Sequence, residues 1–402
     1  DLNDMPALRL PRGAELLRVK KLYNNQIYTA HLDGPLSSGK TVDLYWDELA
    51  VSEQDAEELL RVLANVLAVT ARPGFKEELE AGEIRWGDHT LRILEKTFGD
   101  EPEGGHSLWI SMHGGGGAPT EINDKQWQNQ IKLYEPAEGV YVAPRAPTDT
   151  WNLWHQSHID PLFDRLITAY VTERGVNPDR VYLMGYSAGG DGVFQLAPRM
   201  ADRFAAAAMM AGHPNETKPL GLRNLPFAIL MGGEDAAYDR NKVAARWVDE
   251  LAALQESDPG GYPHRVEIYE GMGHWMQRKD AEILPWMARH ERKPWPRRVV
   301  WHQDDVTHTR FYWLAVDEAK QRTTIEAEID GQTVSIHTDD VNSITLRLRD
   351  EIIDLERPVK VLVNGRQVFE GVVPRTVAAI RRSLDERLDP STAATALLEL
   401  TW

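Results

Sequence analysis

Between residues 88 and 292, short apolar segments of strand length alternate with amphipathic segments of helix length. That rhythm predicts an α/β fold with a mostly parallel central sheet covered by helices on both faces. Two glycine-rich turns, each directly after an apolar strand candidate, support it: His113-Gly114-Gly115-Gly116-Gly117 and Gly185-Tyr186-Ser187-Ala188-Gly189. The flanking segments follow a different rhythm. We expect an N-terminal accessory region (1–85), the main α/β unit (86–292) and a small β-rich C-terminal module (293–402). A chain of 402 residues has room for roughly two to three such units.

In the first region, Leu16–Lys20 and Val42–Trp46 read as short strands. Ser52 is placed to cap a helix that opens on the acidic Glu53 and Asp55 and continues with Leu59, Leu60, Leu63, Val66 and Leu67 at helical spacing. In the main unit the strand candidates are Thr90–Lys96, Ser107–Met112, Val140–Ala143, Val181–Gly185, Ala205–Met210, Phe227–Met231 and Arg265–Tyr269. Asp160–Glu173, Gly190–Met200, Asn241–Gln255 and Arg278–His290 read as helices. A Pro- and Arg-rich hinge, Arg292–Arg298, leads into segments that alternate with period two: Phe311–Val316, Thr324–Ile329, Thr333–His337, Ile344–Leu348 and Val359–Val363. These read as antiparallel strands, with Asp330-Gly331 and Asn364-Gly365 as hairpin turns. Val377–Leu388 reads as a closing helix.

Composition narrows the classes of function. Hydrophobic residues make up 42% and charged residues 27%, as in a soluble globular protein, and no run approaches the ~20 apolar residues of a membrane span. A net charge of −17 argues against nucleic acid and anionic membrane surfaces as partners. There is no cysteine, so disulfides, thiolate metal sites and a cysteine nucleophile are excluded. The sequence begins at Asp1 with no visible signal peptide, which fits a cytoplasmic protein or one exported after leader removal. Oligomeric state is not legible.

A serine held in a sharp strand-to-helix turn projects its hydroxyl outward, and small residues two before and two after let strand and helix approach closely. Ser187 occupies that position. A serine hydroxyl needs a base to take its proton and a carboxylate to orient the base. Gly232-Gly233-Glu234-Asp235 follows the strand Phe227–Met231, and Glu270-Gly271-Met272-Gly273-His274-Trp275 follows the next strand. Asp235 is the candidate acid, with Glu234 and Asp239 as alternatives, and His274 the candidate base. The glycines after His113 let main-chain N–H groups approach a substrate; a phosphate loop is disfavoured because no Lys-Ser or Lys-Thr follows. No His-Glu-x-x-His or comparable ligand spacing is present, so no metal site is expected. His113, Trp151, Trp154, Tyr186 and Trp275 are candidate pocket residues.

Both glycine motifs, in this order with acid and base loops downstream, resemble the α/β-hydrolase family, and within it the esterases similar to polyhydroxyalkanoate depolymerases and feruloyl esterases. The resemblance covers about half the chain. It implies Ser187 as nucleophile, Asp235 and His274 as its partners, and Ala188 with Gly114 or Gly115 as oxyanion donors. The implied activity is a serine carboxylesterase without a cofactor, acting on small or short-chain esters, with polyesters as a further option. The rival readings are a serine peptidase of the prolyl-oligopeptidase type and a non-catalytic binding protein that keeps the fold.

Overall fold

The computed structural model describes residues 19–23, 26–30 and 50–402. In chain order the elements are β1 (Val19–Tyr23), β2 (Gln26–Ala30), α1 (Glu53–Ala81), β3 (Glu83–Trp86), β4 (His89–Phe98), β5 (Leu108–Met112), α2 (Thr120–Gln130), β6 (Gly139–Arg145), α3 (Ile159–Arg174), β7 (Val181–Tyr186), α4 (Ala188–Arg199), β8 (Ala206–Met210), β9 (Phe227–Gly232), α5 (Arg240–Ser257), β10 (His264–Tyr269) and α6 (Leu284–Met287). They continue with β11 (Arg298–His302), β12 (Arg310–Phe311), β13 (Leu314–Ala315), β14 (Thr324–Asp330), β15 (Thr333–His337), β16 (Ser343–Leu348), β17 (Val359–Val363), β18 (Arg366–Gly371), α7 (Val377–Glu386) and β19 (Ala396–Thr401). The candidate strand Val42–Trp46 and most of the expected accessory region lie outside the described residues; Val19 and Lys20 of the other candidate fall in β1.

The main sheet has eight strands in the order β10-β9-β8-β7-β5-β6-β4-β3. The six strands from β10 to β6 are mutually parallel, and β4 and β3 add antiparallel at one edge. Strands β5 to β9 are buried along their whole length, which explains why they read as continuous apolar runs rather than alternating ones. This is an α/β-hydrolase fold, and its parallel strands all point their carboxyl ends to the same edge, where β5, β7, β9 and β10 deliver the loops discussed below. Among the described residues no helix is long and apolar enough to cross a membrane.

Ser52 caps α1, its side chain accepting from the Asp55 N–H. The helix is longer than its apolar pattern shows. Its first half packs Ala56, Leu60 and Leu63 against Ile380 and Leu384 of α7, and its last turns put Phe75 and Leu79 into the core under the main sheet.

The C-terminal module consists of a five-stranded sheet, β11-β14-β15-β17-β18, and a four-stranded one, β12-β13-β16-β19. Three expectations need correction. The β15–β17 pair is parallel, because residues 338–358 cross over between them, whereas period-two alternation gives no strand direction. Phe311–Val316 is not one strand: β12 and β13 are two-residue strands around a tight turn in which Tyr312 has φ 52° and Trp313 is buried, its indole N–H donating to the Pro296 carbonyl at 2.7 Å. Arg278–His290 is not one helix either. Arg278 is left-handed (φ 64°), Pro285 has no N–H to continue a helical ladder, and the segment becomes a 3-10 turn (Lys279–Ile283) followed by the single turn α6.

The Pro- and Arg-rich segment is packed rather than loose. The buried Arg292 guanidinium reaches Asp389 (2.8 Å) and Asp179 (2.7 Å), and Trp295 donates to the Ser391 carbonyl (2.8 Å). Trp301, Ile325 and Phe311 of the module share one continuous hydrophobic cluster with Leu166, Phe194 and Phe227 of the α/β unit.

Candidate active site

Ser187 links the end of β7 to the start of α4, with φ 58° and ψ −123°. A non-glycine residue with positive φ in this sparsely populated region is strained, and the surroundings hold it there. Its N–H donates to the Met210 carbonyl of β8 (2.9 Å), and its carbonyl accepts from Asp191 of α4 (2.9 Å). Gly189 explains the small residue two positions on: a Cβ there would sit 2.1 Å from the Met112 carbonyl oxygen of β5.

Two loops at the same sheet edge reach the serine. After β9, Asp235 is 2% exposed. After β10, His274 directs Nδ1 at Asp235 Oδ2 (2.7 Å) and Nε2 at Ser187 Oγ (2.9 Å). A carboxylate only accepts, so Nδ1 carries the proton and Nε2 is left to accept from the serine hydroxyl. The two alternatives for the acid stand elsewhere: Glu234 is exposed, and Asp239 pairs with Lys242 (2.8 Å) on the surface.

The glycine loop after β5 lies against the elbow. Gly114 has its Cα face on the serine, so that a Cβ there would be 3.1 Å from Ser187 Cβ and 3.6 Å from Oγ. The loop is held from behind. Asn123 of α2 accepts from the Gly116 N–H (2.9 Å) and donates to the Ala118 carbonyl (3.1 Å) and Asp149 (2.8 Å). Asp149 is in turn paired with Arg145 at the end of β6. Gly115 has φ 107°, a conformation that favours glycine. Ala188 is the first residue of α4, one of the four leading N–H groups that a helix leaves without an internal partner.

The candidate pocket residues separate into two groups. Trp151 and Trp275 are 65% and 52% exposed, and Trp275 directly follows His274. The other three are not pocket walls. His113 is fully buried: Nδ1 donates to the Gly114 carbonyl (2.6 Å) and Nε2 accepts from the Ala146 N–H (3.1 Å). Burial pushes its pKa down to about 4, against a smaller upward pull from the Gly114 bond, so the ring is neutral. Trp154 is also fully buried, and its indole donates to the His113 carbonyl (3.0 Å). Tyr186 is 7% exposed, with its hydroxyl engaged by the loop that carries His274. Sequence periodicity could not assign these roles, because each depends on partners from distant segments. Asn123 had no signal at all, since α2 has little apolar periodicity. Among the described residues no group of three or more His, Asp or Glu could hold a metal ion.

Comparison with known proteins adds the following. NocK of Nocardia uniformis subsp. tsuyamanensis, provisionally named an esterase, is 32% identical over an alignment of 148 residues that covers 33% of this chain. The match spans about two fifths of that relative's length, 41%. Solved structures that match part of the chain include the poly(3-hydroxybutyrate) depolymerase LpqC from Bordetella parapertussis (16% identity, 49% of this chain and 82% of that one, TM-score 0.39). A feruloyl esterase module from Clostridium thermocellum complexed with sinapinate is another (15% identity, 52% and 90% covered, TM-score 0.35). The dienelactone hydrolase family model matches residues 125–304, a stretch holding Ser187, Asp235 and His274. That stretch is under half of the chain; it resembles the dienelactone hydrolases, and the sheet described above is that of an α/β-hydrolase fold.

Proposed function

We propose that the chain is a serine carboxylic-ester hydrolase with Ser187 as nucleophile, His274 as general base and Asp235 as the orienting acid. One observation carries this reading: an unbroken hydrogen-bond line from Oγ through the imidazole to a buried carboxylate, at 2.9 and 2.7 Å. The dienelactone hydrolase match and the name of NocK support hydrolysis as the reaction class.

In this mechanism Nε2 takes the hydroxyl proton as Oγ bonds to the ester carbonyl carbon. The Ala188 N–H and one of Gly114 or Gly115 donate to the oxyanion. His113 holds the Gly114 carbonyl, and in a planar trans peptide the Gly115 N–H then points to the opposite side, so the donor group is fixed before substrate arrives. Each such donor contributes about 3 kcal/mol to transition-state stabilisation. The imidazolium returns its proton to the leaving alcohol as the C–O bond breaks. Water, deprotonated by the same imidazole, then attacks the acyl-enzyme and releases the acid. No step calls on a cofactor. Trp275, which packs on the Tyr186 ring at 5.7 Å, and Trp151, which lies against Gly116 and Gly117, offer exposed aromatic surface for small or short-chain esters.

The test is covalent labelling with a fluorophosphonate, mapped by mass spectrometry, alongside turnover of p-nitrophenyl esters and aminoacyl anilides. Labelling at Ser187 with ester turnover well above anilide turnover is expected. A folded protein that stays unlabelled, or matching anilide turnover, overturns the assignment.

A further inference from the structure

The elbow and the base loop are joined by more than the Ser187–His274 hydrogen bond. Tyr186 immediately precedes the nucleophile, and its hydroxyl donates to the His274 carbonyl (2.6 Å) and accepts from the Met276 N–H (3.0 Å). Burial pushes this hydroxyl's pKa well up, so it stays protonated and keeps its donor role. The tyrosine ring also meets the His274 ring edge-on at 5.9 Å.

The loop has no regular hydrogen-bond ladder at this point, and its Met276 side chain is fully buried in the core. Residues 270–278 belong to no helix or strand, and Gln277 and Arg278 adopt left-handed backbone (φ 55° and 64°). Upstream of His274 the acid loop holds it through Glu234 N–H to the Met272 carbonyl (2.8 Å). Downstream, the Tyr186 hydroxyl spans the backbone on either side of Trp275. The main chain that carries the imidazole is therefore tied to the acid loop on one side and to the strand that carries the serine on the other.

We propose that Tyr186 is a positioning residue: it ties the main chain of the base loop to the nucleophile's own strand and thereby sets the distance from Nε2 to Oγ. This inference rests on the reading of Ser187 and His274 as nucleophile and base. A displacement of about 1 Å in a reacting group costs on the order of 100-fold in rate, so loss of a single oxygen atom here acts on chemistry rather than on substrate affinity.

The experiment compares Tyr186→Phe with Tyr134→Phe in the full chain. Tyr134 is buried and bonds Asp280, further along the same segment, and its hydroxyl makes no hydrogen bond to His274. The readouts are the second-order rate of fluorophosphonate labelling, kcat and KM on a p-nitrophenyl ester, and Tm. For Y186F we expect labelling and kcat to fall about 10- to 100-fold with KM nearly unchanged. For Y134F we expect a lower Tm with wild-type labelling. Incorporating 4-aminophenylalanine at position 186, which returns a para donor, should restore part of the labelling rate and also serves if Y186F folds poorly. Wild-type labelling by Y186F, a rise in KM with kcat intact, or equal slowing in Y134F overturns the inference while leaving the nucleophile assignment standing. An unlabelled wild-type protein removes that assignment, and this inference with it.

Discussion

Nε2 of His274 stands 2.9 Å from Oγ of Ser187 across 87 residues of chain, and the serine reaches that position on a backbone with positive φ. The turn is thus held against its own conformational preference by the strand before it and the helix after it. Residues in such regions cost on the order of 1–3 kcal/mol each. Ser187→Ala removes the hydroxyl and keeps the strain. It should lower kcat by about four to six orders of magnitude with Tm almost unchanged. Ser187→Gly should be equally inactive yet melt higher than the alanine variant, because glycine tolerates the turn. Calorimetry on the two variants checks this, and a glycine variant less stable than the alanine one would show that the turn is not strained.

Asp235 is the buried end of the same line, while Asp239 lies four residues on and faces solvent. Asp235→Asn leaves the shape of the site but presents a group that can favour the wrong imidazole tautomer. By analogy with other triads kcat/KM should drop by about 10⁴. Asp239→Asn should leave kcat/KM at the wild-type value. The reverse pattern would move the acid to position 239.

The glycine loop gives a third prediction. A methyl group on Gly114 would stand 3.1 Å from Ser187 Cβ and 3.2 Å from the Tyr186 carbonyl oxygen. Gly114→Ala should therefore push the loop away from the elbow, with kcat falling by about 10²–10³, the usual loss of one oxyanion donor. Fluorophosphonate labelling should slow in parallel. An alanine variant with wild-type kcat would mean that the loop does not approach the reacting carbonyl.

The elements around the site are legible wherever a local pattern suffices. The strand, the serine and the following helix announce themselves because the close approach at Gly189 admits no larger residue. Asn364-Gly365 forms its hairpin with both residues at positive φ (48° and 79°), as that dipeptide favours. What is not legible depends on distant partners. His113 and Trp154 have the polarity and aromaticity of pocket residues, but the first ties two loops together and the second packs against Gly192 of α4. Tyr186 reads as a pocket wall from its place beside the serine. Its two bonds to residues 274 and 276 exist only because β7 and the loop after β10 converge. The parallel β15–β17 pair is of the same kind, since alternation along a strand carries no direction.

The buried histidines make stability depend on pH. Burial lowers His113 and His155 from 6.5 to about 4 each. Between pH 6.5 and 4 the unfolded chain binds protons at these two positions that the folded chain refuses, so stability falls as the solution is acidified. Asp191 works in the opposite sense: burial raises it from 3.8 to about 6, so across that window its folded form holds a proton the unfolded form lacks, and acid favours the fold. These two histidines outweigh Asp191; burial also lowers His158, His213, His290 and His302 and raises Asp280, and a net loss of a few kcal/mol is expected between pH 6.5 and 4. Urea midpoints across this range check it. His113→Asn should be less stable at pH 7 yet show a shallower slope, and an unchanged slope would mean that His113 titrates normally in the fold.

The attachment of the C-terminal module gives the last prediction. Although burial opposes its ionisation, Asp389 is held well below the usual carboxylate range by Arg292 and Arg203. Arg292 joins it to Asp179 of the α/β unit, and the side chains of Arg292 and Asp389 are 1% and 4% exposed. Removing one member of a buried pair costs up to about 3–5 kcal/mol, and here Asp179 and Asp164 still compensate part of the charge of Arg292 and Arg203. Asp389→Ala should therefore lower Tm by many degrees. Loss of the exposed Lys242–Asp239 pair, whose side chains are 70% and 63% exposed, should scarcely register, because solvent screens it. Neither change touches Ser187, His274 or Asp235, so kcat at 25 °C should be retained in both while the protein remains folded. If Asp389→Ala kept the wild-type Tm, the buried ionic cluster would not be what holds the module to the sheet, and the shared apolar cluster around Trp301 and Phe311 would have to suffice.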